Sequence, residues 1–83
     1  MSPKLPQVSG KNLVKLLENM GYVVIRQKGS HIRLRKKARA GEHNITVPAH
    51  KIIAKGTLND ILSKVSLWNG VSKESLSEKL KKG

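Results

Sequence analysis

No cysteine occurs among the 83 residues, which removes both a disulfide framework and a thiolate metal site and leaves the redox compartment open. Phenylalanine is absent as well, and only 37% of residues are hydrophobic. The core must therefore be small, so that burial exceeds the entropy cost of ordering by a slim margin and a partner would add stability. A chain below the usual domain range of about 100 to 150 residues has room for one compact domain. Long apolar runs are missing too. The longest, Tyr22 to Ile25, falls far short of the roughly 20 residues that span a bilayer. Met1 to Gln7 lacks the apolar stretch of a secretory signal, so a cytoplasmic protein is expected. Acidic residues number only five: Glu18, Glu42, Asp60, Glu74 and Glu78. They are scattered, with no paired-carboxylate spacing to hold magnesium, and neither a metal nor a cofactor is expected.

What is abundant is positive charge. Seventeen Lys and Arg against five acids give a net charge of +12, a field that attracts polyanions. Binding to an anionic membrane surface would need a helix with one strongly apolar face opposite a basic one, and no predicted helix is rich enough in bulky residues. Nucleic acid is the better match. Direct DNA binding is not expected, because no helix-turn-helix with a basic recognition helix can be drawn.

Ser9 is placed to cap a helix whose Leu13, Leu16, Leu17 and Met20 follow the spacing of one buried face, with Gly21 at its end. Tyr22 to Gln27 is dense in β-branched residues, Lys28-Gly29-Ser30 supplies turn chemistry, and His31 to Arg35 reads as a second strand. Lys36 to Glu42 reads as a basic connection. After it, His43 to Val47 alternates apolar and polar residues and stops at Pro48. Pro48 to Gly56 reads as a loop. Thr57, with Asp60 at the capping-box position, is expected to start a second helix buried through Leu58, Ile61, Leu62 and Val65. The order predicts an α+β fold: an α-β-β-β-α sandwich like that of double-stranded RNA-binding domains, a three-stranded antiparallel sheet with two helices on one face. Ser66 to Gly70 reads as a break, with Trp68 either covering the core's edge or docking on a partner. Beyond it, Ser72 caps a short helix anchored only by Leu76 and Leu80, whose polarity suggests a frayed or partner-docked tail. Three segments follow: an arm over residues 1–8, a main domain over 9–66, and an extension over 67–83 that is helical from about 72.

Strand side chains alternate between faces, so if Ile32 and Leu34 point into the core, His31, Arg33 and Arg35 stand together on the solvent face. Lys28, Lys36 and Lys37 flank that strand at its ends. Guanidiniums can hold phosphate oxygens bidentately while a histidine near neutral pKa moves a proton. Such a surface suits attack of a ribose 2′-hydroxyl on the adjacent phosphate, a route open to RNA and closed to DNA. Gly29 would let a phosphate approach the backbone and Ser30 would donate to it. His50 is a candidate second acid or base or a phosphate contact. Lys51 and Lys55, near the second helix's start, are candidates to bind phosphate with the helix dipole. The same face also suits a non-catalytic module that recognises double-stranded RNA by shape, 2′-hydroxyls and phosphates.

Several segments in order resemble the HicA toxin family. They are Ser9-Gly10 before the Leu-rich helix, Met20-Gly21-Tyr22, Arg26-Gln27-Lys28-Gly29-Ser30-His31, Ile45-Thr46-Val47-Pro48, and Lys55-Gly56-Thr57-Leu58 with Ile61-Leu62. Arg26 to His31 is the specific part, and it brings Arg26 into the candidate RNA-binding set. The resemblance implies an endoribonuclease that cleaves messenger RNA, with the histidine of the Gly-Ser-His motif, here His31, as the catalytic residue. It also implies a HicB-type antitoxin that blocks the active surface. Ile32 stands where many members carry another histidine or an aromatic residue, and the tail from Ser66 extends past the usual family end.

Overall fold

The computed structural model describes residues 6–82; the first five residues of the expected arm and Gly83 lie outside the described residues. Helix α1 spans Gly10–Asn19. Ser9 caps it as the sequence predicts, its Oγ accepting a hydrogen bond from the Asn12 N–H at 3.1 Å. Leu13, Leu16 and Leu17 are buried and Met20 packs half-buried at the edge of the same cluster.

Three strands follow, β1 (Val23–Lys28), β2 (His31–Ala38) and β3 (Gly41–Pro48), in one antiparallel sheet of order β1-β2-β3. Gly29 and Ser30 form the first turn, Gly29 at φ 57°, a conformation glycine adopts without steric cost. The expected basic connection from Lys36 to Glu42 is mostly strand. Lys36 pairs with His43, Lys37 with Glu42 and Ala38 with Gly41, leaving a turn of only Arg39 and Ala40. Lysine-rich sequence has little intrinsic strand preference, and here cross-strand pairing overrides it.

Helix α2 spans Lys55–Asn69 and buries Leu58, Ile61, Leu62 and Val65 against Leu34, Ile45 and Val47 of the sheet. It begins three residues earlier than the Thr57 capping box implies, from Ala54 with no side-chain cap. The chain's entry is fixed instead by buried Ile53, whose N–H donates to the Val8 carbonyl at 2.8 Å. Val8, read from sequence as part of an arm, is thereby in the core. The break expected over Ser66 to Gly70 begins only at Gly70, which caps α2 in the left-handed conformation; Trp68 and Asn69 are helical.

The α-β-β-β-α sandwich of the double-stranded RNA-binding type is thus present, and a third helix completes it. Helix α3 spans Lys73–Lys82, with the Ser75 N–H bonded to Ser72 Oγ at 3.1 Å. It is not a frayed tail: Leu76 is 1% exposed and Leu80 8%. Helices α1 and α2 make no close backbone approach to each other, and α3 packs against both. Two well-placed leucines suffice to dock a helix that is otherwise polar, which is why its composition misleads.

At the other end of the molecule, a Cβ on Gly10 would lie 2.1 Å from the Pro48 carbonyl oxygen. Gly10→Ala is expected to lower stability by about 1–3 kcal/mol or more, since backbone cannot swing aside as a side chain can. Leu76→Ala should cost about 2–5 kcal/mol. Denaturant unfolding followed by circular dichroism measures both, and an unchanged midpoint in Leu76→Ala would mean that α3 is not part of the cooperative core.

Candidate nucleic-acid interface

Ile32 and Leu34 of β2 face the helices, so His31, Arg33, Arg35 and Lys37 stand on the uncovered face. The register brings Lys28 of β1 opposite His31 and Arg26 opposite Arg33. That placement depends on a β-bulge: Val24 pairs with Leu34 and Arg26 with Arg33, leaving Ile25 as the extra residue. Without the bulge, strict alternation from Val24 would turn Arg26 and Lys28 to the helix side. On the other flank, Thr46 pairs with Arg33 and Pro48 with His31.

These residues enclose an open groove of about 560 Å³ lined by Arg26, Lys28, Gly29, Ser30, His31, Arg33 and Thr46. Six of the seven are candidate residues named from sequence. Thr46 was missed, although its alternation opposite Arg33 would have revealed it once the β2–β3 register was known. Among the described residues, no ion pair engages Arg26, Lys28 or Arg33, so their charges remain available to an anion. Arg35 is partly engaged: its Nε is ion-paired with Glu42 Oε2 at 2.7 Å and donates to Asn44 Oδ1 at 3.2 Å. This fixes the guanidinium at the groove's edge. Among the described residues no three of His, Asp and Glu lie together as a metal-holding set.

The remaining candidates are distributed elsewhere. Lys36 points to the helix side, where its Nζ donates to Asn69 Oδ1 at 2.6 Å. Lys55 is the first residue of α2. His50 and Lys51 line a different groove, on the helix side of the sheet beside α1, and His50 is not among the residues lining the His31 groove.

One polar cluster escaped the sequence reading because its members, Tyr22, Lys36, His43, Trp68 and Asn69, are joined only by the tertiary fold. Asn69 Nδ2 donates to the Val65 carbonyl at 2.8 Å and to the Tyr22 hydroxyl oxygen at 3.0 Å. The Tyr22 hydroxyl oxygen in turn lies 2.6 Å from His43 Nδ1, a hydrogen bond whose proton either side chain can supply. His43 stacks on Trp68 at 5.2 Å between centroids. The Lys36 ammonium lies 5.8 Å from the Tyr22 ring and 5.9 Å from the Trp68 ring, within reach of a cation–π attraction. Trp68 is half-buried, with its ring resting on His43. Burial raises the Tyr22 pKa, opposed by the Asn69 hydrogen bond. Burial, aided by the Lys64 cation, lowers that of His43.

A family model described as the HicA toxin of bacterial toxin-antitoxin systems matches residues 10–67. No curated protein and no solved structure gives a match. The matched stretch contains the whole of the groove and stops before α3.

The depressed His43 pKa ties stability to pH. Above the unfolded value of about 6.5 the imidazole is neutral in both states and its contribution is complete. As pH falls through that value toward the folded pKa, the unfolded chain takes up a proton that the folded chain refuses, and stability declines. Melting curves from pH 7.5 to pH 5.5 should show a larger drop for the parent than for His43→Gln, which can still accept from Tyr22 but does not titrate. Equal drops would remove His43 as the cause.

Proposed function

The chain belongs to the HicA toxin family of bacterial toxin-antitoxin systems, and from that premise we propose that it is a metal-independent endoribonuclease that cuts messenger RNA on the uncovered face of its sheet. The observation that carries this reading is the groove in which His31 lies among Arg26, Lys28, Ser30 and Arg33. A phosphodiester seated there meets three cations that no acid has neutralised.

In this reading the His31 imidazole takes the proton of the ribose 2′-hydroxyl. The 2′-oxygen attacks the adjacent phosphorus, the bond to the 5′-oxygen breaks, and a 2′,3′-cyclic phosphate and a 5′-hydroxyl result. Arg33 and Arg26 hold the non-bridging oxygens and stabilise the charge that builds on them. Ser30 adds a hydroxyl donor, and the open turn at Gly29, where a side chain would meet nothing within 4 Å, leaves the phosphate's path clear. The departing 5′-oxygen needs a proton of its own. His50 lines another groove, so Lys28, the cross-strand partner of His31, or a water it holds is the better donor. The scattered acids suit a mechanism that gathers no divalent cation.

Family membership brings an antitoxin partner. We assign it the HicB type, with an acidic surface that covers the His31 face, and assign the pair to the cytoplasm, where messenger RNA is met. Among the described residues no helix is long and apolar enough to cross a membrane.

Purified chain incubated with long single-stranded RNA in EDTA, beside His31→Ala, tests the proposal. General acid–base catalysis by one histidine contributes about 10² to 10⁴ in rate. The variant should therefore lose cleavage by at least a hundredfold, while its circular dichroism and most of its RNA affinity remain. Fragments from both proteins would remove His31 from the mechanism. Salt-sensitive binding with intact RNA in both lanes would favour the binding-module alternative.

A further inference from the structure

On the helix side of the sheet, beside α1, lies a second groove of about 660 Å³, within the range of ligand sites, roughly 300–1,000 Å³. Val14 and Ile32, half-buried against the core, contribute its apolar part. Lys11, Lys15, His50 and Lys51 also line it, with one carboxylate, Glu18. Lys11, Lys15, His50 and Lys51 are all exposed, and among the described residues no ion pair engages the three lysines. Apolar surface next to several cations is what a single nucleic-acid strand requires, since each nucleotide offers an apolar base and an anionic phosphate.

This groove and the His31 groove are separated by one hairpin. His31 and Ile32 are consecutive residues facing opposite sides, as are Gln27 and Lys28, and each groove takes one of each pair. Around the hairpin's end only the exposed Gly29-Ser30 turn intervenes, and it is tied to the second groove by the Ala49 N–H donating to the Ser30 carbonyl at 2.7 Å. Among the described residues β1 is an edge strand with no neighbour on its outer side. A chain that rounds this turn from the His31 groove has the second groove on its other side.

We propose that the groove beside α1 binds the part of the RNA strand flanking the scissile phosphate, which bends around the Gly29-Ser30 turn to reach it. This rests on the reading of the His31 face as an RNA site and extends it: the substrate is a flexible single strand held on both sides of the sheet, a path too sharply bent for a stiff duplex. An acidic peptide would satisfy the lysines equally well, but continuity with the His31 groove favours the strand already bound there.

The test uses the full chain carrying His31→Ala, so that RNA stays intact, and a fluorescent uridine dodecanucleotide followed by anisotropy. Adding Lys11→Ala and Lys51→Ala should weaken binding about tenfold or more. It should also flatten the salt dependence by roughly 0.7 in log–log slope for each phosphate that is no longer neutralised. Lys64→Ala with Lys81→Ala removes equal charge outside both grooves and should have a much smaller effect. Equal losses from the two pairs would overturn the groove, since only the general field would then be acting. Unchanged RNA affinity would overturn it too, even if antitoxin binding suffered. Failure of the dodecanucleotide to bind with all lysines intact would overturn both the groove and the RNA reading on which it rests, whereas the first two results leave that reading standing.

Discussion

Much of this structure depends on one close approach, that of the α1 N-terminus to the end of β3. Gly10 sits against the Pro48 carbonyl with no room for a Cβ, and its N–H donates to the His50 carbonyl at 2.9 Å. The same short segment reaches the other way through Ala49 to Ser30, while Pro48 stands opposite His31 in the sheet. The strand end is therefore clasped between a helix start and the turn that carries the histidine. Helix packing, the entry to α2 and the position of the Gly29-Ser30 turn are fixed together, and none can shift alone.

The two faces of β2 show how a chain with so much positive charge folds. Outward, Arg26, Lys28 and Arg33 remain in water, where their repulsion is screened and their desolvation cost is small. Inward, Leu34, Ile45 and Val47 are buried, and at the end away from the Gly29-Ser30 turn Lys36 enters a cluster of Asn69, Tyr22 and Trp68. Among the described residues no ion pair engages it. An amide oxygen and two aromatic rings do, which shields the cation without using any of the scarce acids.

Local signals made much of this legible. The Ser9 cap, the leucine spacing of α1, the alternation that sets His31 and Arg33 opposite Ile32 and Leu34, and the α2 stripe are all properties of neighbouring residues. What the sequence did not reveal depends on distant partners. Lys36 reads as connection because only its pairing with His43 makes it strand. The bulge at Ile25 lies in a run of β-branched residues whose pattern contains no sign of where alternation slips. The Tyr22–His43–Trp68 cluster joins the α1–β1 link, β3 and α2, and Leu76 and Leu80 look too sparse to dock a helix until α1 and α2 are seen to leave a gap for them. Within the candidate site the groove residues from Arg26 to Arg33 were legible because they are nearly contiguous. The placement of His50 and Lys51 in a different groove was not, because it depends on which side of β2 their loop crosses.

The position of α3 has a consequence for the order in which the molecule is made. The basic face and the histidine lie wholly upstream of Leu76 and Leu80, the residues through which α3 joins the core between α1 and α2. A nascent chain thus exposes its cations before it can close its core, and until α3 leaves the ribosome the sheet is backed by an incomplete hydrophobic layer. Closure of the hydrophobic layer thus waits on α3, which follows the basic face in the order of synthesis.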